Sequence, residues 1–246
     1  MELKEYENIY TNEGSHFFYV SNHNIILALV RKYLRTHRTK TKILDAGCGT
    51  GLLAKKLEKF GDVWGVDIST EAIRYSKKRG VKAKLASVNK LPFKNEAFDL
   101  VVCMDVLYHR KVSDLGALRE FKRVLKPGGF AIIRVPANKW LHLNHDKYVH
   151  TRQRYSSDEL GSKIVKSGLA LERLTFVNMI LLPLAILKQL AEGFMVQDKV
   201  SSGVGSLSEL VNKTLLFPLS LESLLVPYID LPFGLGIVAV CRKSTS

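Results

Sequence analysis

The residues with the clearest chemical potential lie in the run Ile43-Leu44-Asp45-Ala46-Gly47-Cys48-Gly49-Thr50-Gly51. An apolar stretch ends in an acid, and glycines follow at every second position before the helical pattern Leu52, Leu53, Leu57, Phe60. This reads as a buried strand, a tight turn and a helix N-terminus. Glycine lacks Cβ and accepts positive φ, so a ligand can lie directly on such a turn. The free N–H groups of the helix start suit a carboxylate or phosphate. The dinucleotide fingerprint G-x-G-x-x-G fails, because its third glycine falls on Leu52, and no lysine completes a phosphate-binding P-loop. What remains is D-x-G-x-G-x-G. An acid at a strand end favours a cationic ligand, and S-adenosylmethionine carries an ammonium, a sulfonium and a carboxylate for the helix N-terminus.

The surrounding segments must position these residues. Val63-Trp64-Gly65-Val66-Asp67 is a second short apolar strand ending in an acid. Asp67 lies 20 residues after Gly47, where a nucleoside-binding α/β unit places a carboxylate for ribose hydroxyls. Asp67 would also serve to cap a helix from Ser69 to Arg79. Strands are predicted over Val81–Ala86, Ala97–Cys103 and Phe130–Val135. An amphipathic helix is predicted over Val112–Leu125, stopped by Lys126-Pro127-Gly128-Gly129. Strands alternating with helices predict a doubly wound α/β sheet.

Four motifs, ILDAGCGTG (43–51), VWGVDIS (63–69), LPFKNEAFDLVVCMDVLYH (91–109) and LKPGGFAIIRVP (125–136), resemble those of class I S-adenosylmethionine-dependent methyltransferases, notably the group that includes the ubiquinone/menaquinone methyltransferases. The resemblance implies a Rossmann-like, seven-stranded sheet whose last strand, Phe233–Cys241, is antiparallel. It also implies S-adenosylmethionine as cofactor. Asp45, Gly47, Cys48, Gly49 and Gly51 would line its methionine half, Asp67 would hold the ribose and Ile68 would lie against the adenine. Ser87-Val88 stands where the family often has an acid followed by a small residue, so Ser87 would meet the adenine amino group as a neutral partner. Cys103, Met104 and Asp105 follow the fourth strand, where that family exposes backbone to the methionine ammonium, and His109 would face the reaction centre, cap a helix or sit in the core.

The 246 residues predict one domain: an N-terminal lid and helix (1–40), a cofactor-binding core (41–136), an acceptor-side segment with a sixth strand (137–176), an apolar helical cap (177–232) and a last strand with tail (233–246). Cys48, Cys103 and Cys241 lack metal-ligand spacing, so no metal is expected. The apparent lack of a secretory signal predicts a cytoplasmic setting. The formal net charge is +14, and Arg31–Lys84 carries 15 Lys/Arg against 5 Asp/Glu. Such a surface favours nucleic acid, anionic lipid headgroups or phosphorylated substrates, although solvated helix faces also explain it. No aromatic–basic interleaving of a base-stacking module accompanies it.

Acceptor specificity must come from outside the common core. Glu13-Gly14-Ser15-His16-Phe17-Phe18-Tyr19 precedes a helix predicted over about 22–35. It resembles the lead-in of one methyltransferase subgroup, where it forms part of a lid; an arginine usual in that subgroup is Asn22 here. The stretch 144–156 gathers His145, His150, Arg152, Arg154 and Tyr155 and resembles an acceptor-site element of the same subgroup. His150 is expected as a general base, since imidazole titrates near neutral pH. Arg152 and Arg154 are expected to bind an anionic acceptor, and the catalytic set is expected among His109, His150 and Tyr155; the alternative is that Tyr155 and Arg154 pack against the following helix and the histidines are exposed. Met179–Leu187 is an apolar run too short to span a bilayer. Leu215–Val226 is a second, broken by Pro218, with a loop predicted over Gln197–Glu209 between them. This cap resembles membrane-associated members of the subgroup and implies a hydrophobic or lipid-linked acceptor at a peripheral membrane site. A homodimer contact through 177–232 and a plain lid over a soluble acceptor are the alternatives. An RNA methyltransferase and a non-catalytic S-adenosylmethionine-binding protein stay open as functions.

Overall fold

A computed structural model describes residues 3–34, 41–141, 152–194 and 208–245. Two helices, α1 (Leu3–Asn12) and α2 (Phe17–Tyr33), precede β1 (Lys42–Ala46), α3 (Leu52–Leu57), β2 (Asp62–Asp67), α4 (Thr70–Lys78), β3 (Lys82–Leu85) and β4 (Phe98–Met104). Then follow α5 (Asp114–Val124), β5 (Leu125–Pro136), α6 (Ser157–Lys166), β6 (Ala170–Val177), α7 (Leu181–Phe194), α8 (Glu209–Leu225) and β7 (Gly236–Arg242). The seven strands form one sheet in the order β3-β2-β1-β4-β5-β7-β6. β1 lies between β2 and β4, parallel to both, and β7 is antiparallel to β5 and β6. This is the Rossmann-like methyltransferase sheet that the motifs imply.

Side-chain alternation along the strands fills two cores. Leu44, Val101 and Cys103 pack with Leu118 and Phe121 of α5 on one face. Ile43, Leu100 and Val102 pack with Ile25 and Leu29 of α2 and Leu53 of α3 on the other. Adjacent strand residues point to opposite faces, so continuous apolar strands belong between two helical layers.

Local chemistry sets the boundaries. α2 begins at Phe17 rather than near Asn22, because the His16 imidazole caps it and Nδ1 accepts the Phe18 amide at 3.3 Å. The aromatic lead-in is therefore the first turn of a helix. Ser69, not Asp67, caps α4, accepting the Ala72 amide at 3.4 Å. Ser113 and Ser156 cap α5 and α6 in the same way. β7 starts at Gly236 instead of Phe233. The chain there crosses β6 so closely that a Cβ on Gly234 would lie 2.2 Å from the Val177 carbonyl oxygen.

The C-terminal helices are less ordinary. α8 starts at Glu209, capped by Ser208, and contains Pro218. The predicted loop thus ends one residue earlier than expected, and its residues 197–207 lie outside the described ones. α8 is amphipathic in the reverse sense: Glu222 and Ser223 face inward with Leu219, while Leu210, Phe217 and Leu224 stand 76%, 70% and 64% exposed. Those outward residues recur at helical spacing, so they form one stripe. Asn212 fastens α8 to the N-terminal segment, accepting the Phe17 amide at 2.7 Å and donating to the Ser15 carbonyl at 2.8 Å.

Candidate active site

The C-terminal ends of β1, β2, β4 and β5 open into a cavity of about 1100 Å³, covered by α1, α2, α7 and α8. This exceeds the ordinary range for a single small-molecule pocket, about 300–1,000 Å³, and suits two ligands side by side.

At its floor the glycine turn makes the approach that its sequence suggests. Gly47, Gly49 and Gly51 have φ of +89°, +53° and +88°. A Cβ on Gly49 would meet nothing within 4 Å, so this backbone faces open space. Gly51 instead packs against Ser76, where a Cβ would lie 2.7 Å from Oγ. Cys48 tucks beneath the turn against Ser76 and Gly65.

Asp45 ends β1 buried, and its Oδ2 has no hydrogen-bond partner. Burial, with the Asp67 and Glu13 carboxylates adding repulsion, pushes its carboxyl up to about 7. A buried orphan oxygen is costly unless something fills the role of donor. An ammonium at the glycine turn would do so. Asp67 steadies the turn, accepting the Gly49 amide at 3.0 Å and the Ser69 amide at 2.9 Å, and keeps lone pairs for a diol. Burial raises its carboxyl too. Ile68 beside it is 59% exposed, and Val88 is buried at the cavity edge. These residues fit S-adenosylmethionine: an acid for the ammonium, an acid for the ribose and apolar surface for the base.

The other expected residues divide. Met104 and His109 line the cavity, as does Ser87, whose hydroxyl also accepts the Asn89 amide at 3.2 Å. The Cys103 side chain is fully buried in the core, so any part it takes in the cofactor site falls to its backbone. Tyr155 is placed elsewhere as well. It is fully buried, with its hydroxyl 3.0 Å from Asp114 Oδ2 and 3.3 Å from the Leu107 carbonyl. Arg152 is likewise committed, donating to Asp114 at 3.1 Å and to the Val112 carbonyl at 3.0 Å. Burial raises the Asp114 carboxyl, but hydrogen bonds from Lys163 and Tyr155 and the nearby cations outweigh it and hold it below its usual range. Arg154 does line the cavity. His150 and His145 lie outside the described residues.

Glu13 and His16 belong to the lid segment expected from the sequence and do line the cavity, whereas His23 and Arg134 escaped notice there. Glu13 is buried, accepts the Thr50 hydroxyl and pairs with Arg79 at 2.8 Å. His16 Nε2 and both amide atoms of Asn22 are buried without partners. His23 is held near pKa about 3 by burial, with Lys56 and Arg79 contributing, so it is neutral at physiological pH. Arg134, buried in β5, pairs with Asp105 and donates to Asn178 Oδ1 at 3.1 Å. A charge inside the apolar run Phe130–Val135 was the available signal for Arg134. Asn22 stood out only as a departure from a resembled pattern.

A family model described as "Methyltransferase domain" matches residues 44–133. The human protein described as "Probable tRNA methyltransferase 9B" is 28% identical over 149 residues, 60% of this chain and 32% of its own. The demethylmenaquinone methyltransferase of Staphylococcus aureus is 38% identical over 105 residues, 39% of this chain and 43% of its own. The chain thus spans less than half the length of these relatives. An S-adenosylmethionine-dependent methyltransferase structure from Thermotoga maritima superposes with a TM-score of 0.59 at 20% identity, covering 98% of this chain and 96% of that one, which establishes the shared fold. Residues 44–133 thus carry a methyltransferase domain, and the site described above fits the cofactor of S-adenosylmethionine-dependent methyltransferases.

Proposed function

We propose that this protein transfers a methyl group from S-adenosylmethionine to a hydrophobic or lipid-linked small acceptor at a membrane surface. The observation that carries the acceptor class is the makeup of the covering helices. Leu181, Leu184 and Ala185 of α7 and Leu215 of α8 line the cavity with apolar surface, while α8 turns its reverse-amphipathic stripe outward. Leu184 is both cavity-lining and exposed, so the apolar lining continues to the outside. Exposed apolar surface of this extent marks an interaction site. Among the described residues no helix is long and apolar enough to cross a membrane, so contact would be at the surface.

The bound cofactor supplies an electrophilic methyl group on a sulfonium. In this reading Asp45 holds the ammonium, Asp67 holds the ribose and the Gly49 backbone lets the ligand lie close. Alignment of the acceptor by Phe18, Tyr19 and the α7–α8 wall supplies most of the rate, because displacement at carbon needs an in-line approach. His109 offers an imidazole to take a proton from the acceptor.

The test is methyl transfer from labelled S-adenosylmethionine into lipid extract, with flotation of the protein on anionic vesicles. Label in the lipid phase, lost with Asp45→Asn, supports the reading. Label in RNA instead would favour the reading that the +14 charge and the human relative's name suggest. Dimerisation that hides α8 without flotation would assign the stripe to a second copy.

A further inference from the structure

The charged groups around the cavity are sorted by element. The acids Glu5, Glu13, Asp45 and Asp67 come from α1 and the residue following it, β1 and β2. Asp105, the other acid of the lining, is paired with Arg134. The bases His109, Arg110 and Lys111 come from the β4–α5 connection, and Arg154 from the segment before α6; His16 and His23 also line the cavity, but burial lowers the pKa of both imidazoles and leaves His23 neutral. Those two segments pack together, with the Arg152 amide donating to the Tyr108 carbonyl at 2.9 Å. Arg110 and Lys111 are exposed, and among the described residues neither has a carboxylate partner.

This sorting matches two ligands of opposite charge. An acidic wall serves a cationic cofactor. A basic wall next to it would only repel that cofactor, and an uncharged acceptor has no use for it. A cleft lined by one sign of charge raises the local concentration of the opposite sign. Guanidinium groups suit phosphate and carboxylate because their paired N–H donors match the oxygens.

Resting on the methyltransferase reading, we infer that the acceptor is an anionic amphiphile: its phosphate or carboxylate is seated on Arg110, Lys111 and Arg154, and its apolar part lies on the α7–α8 wall. The positions of the two ends are set by different elements, so each can be removed separately. Arg110 and Lys111 are exposed loop residues, and their replacement leaves the core untouched.

The experiment is calorimetric titration of the full chain, loaded with S-adenosylhomocysteine, with dodecyl phosphate, dodecanoate, dodecyl maltoside and inorganic phosphate, each below micelle formation. The expected result is that the two anionic amphiphiles bind at least about tenfold more tightly than the neutral one, as charge-assisted pairing implies. Inorganic phosphate alone should bind weakly. The double variant Arg110→Ala, Lys111→Ala should lose the preference while binding S-adenosylhomocysteine unchanged, and Arg154→Gln should weaken it further. Equal affinity for neutral and anionic amphiphiles overturns the inference. So does inorganic phosphate binding as tightly as dodecyl phosphate, which would mean a water-soluble acceptor. A short RNA competing with dodecyl phosphate, with steep salt dependence, overturns it in favour of nucleic acid. Failure of S-adenosylhomocysteine to bind would count against the methyltransferase reading instead, and the amphiphile titrations can be read without it.

Discussion

Arg79, at the end of α4, reaches the buried carboxylate of Glu13 at 2.8 Å, and the same guanidinium donates to the Tyr10 carbonyl at 2.9 Å and the Thr50 carbonyl at 3.1 Å. One side chain therefore ties the N-terminal segment to the glycine turn. Arg79→Ala leaves the Glu13 carboxylate buried and short of its cation. Breaking a buried pair from one side costs about 3–5 kcal/mol. Burial already raises the Glu13 carboxyl against the opposing pull of Thr50 and Arg79. Losing Arg79 raises it further, so the destabilisation is largest at high pH and relieved where Glu13 is protonated. Urea midpoints of the variant and the parent at pH 5 and pH 8 should differ more at pH 8.

Asp45 predicts a pH profile for cofactor binding. Its carboxyl is pushed up to about 7 by burial and by its acidic neighbours. Only the ionised form pairs with an ammonium, so below pH about 7 binding must release a proton. Affinity for S-adenosylmethionine should then fall by up to about tenfold per pH unit, and be flat above 7. Asp45→Asn should weaken binding and flatten the profile. For stability the sign is the reverse of the usual carboxylate: the folded value lies above the unfolded one of about 3.9. The ligand-free protein loses this group's contribution as pH rises from about 4 through 7. Calorimetry across pH 5.5–8.5 in two buffers reads both affinity and proton release.

The inward face of α8 yields a third expectation. Glu222 accepts the amides of Asn178 and of Met179, the latter at 2.9 Å. Asn178 has φ of +58°, and its amide oxygen in turn receives Arg134. Glu222→Ala strips two backbone donors of their acceptor at about 1–3 kcal/mol each. Glu222→Gln keeps one acceptor oxygen and should recover about half. Hydrogen exchange should show the loss concentrated in α8 and at residues 178–179, because the β1–β4 ladder does not depend on this contact.

The strands and the glycine turn were legible because period and backbone demands are local. Ile43 and Leu44 declare opposite faces by adjacency alone, and the turn is read from glycines at alternate positions, of which Gly47 and Gly51 leave no room for a Cβ. The cap was harder. α8 reads by sequence as an apolar cap segment broken by Pro218, and that pattern does not announce that Glu222 goes inward; it does so because the backbone of residues 178 and 179 needs an acceptor there. That need arises from a contact 44 residues distant in the chain. Arg134 sits in an apolar strand for a similar reason, its partner Asp105 being 29 residues away. His16 was legible as part of the lid segment, but its capping of α2, which starts five residues earlier than expected, was not.

Tyr155 separates a structural role from a chemical one. It was expected beside the acceptor, from a motif dense in ionisable residues. In the fold its hydroxyl is shared between Asp114 and the Leu107 carbonyl, and its ring fills the core beneath the β4–α5 connection. A phenol so placed can orient that connection but has no route to an acceptor in the cavity. Tyr155→Phe should therefore cost about 1–3 kcal/mol, the range for a hydrogen bond to a charged group together with the buried oxygen left behind. Its kcat should stay within about twofold of the parent, since a change of 0.4 kcal/mol in the barrier is about a factor of two. His109→Ala, by contrast, removes a cavity-lining imidazole and should lower kcat with little loss of stability. Measuring unfolding and single-turnover methyl transfer on both variants distinguishes the roles. A Tyr155→Phe protein that folds normally but turns over a hundredfold more slowly would return Tyr155 to the reaction.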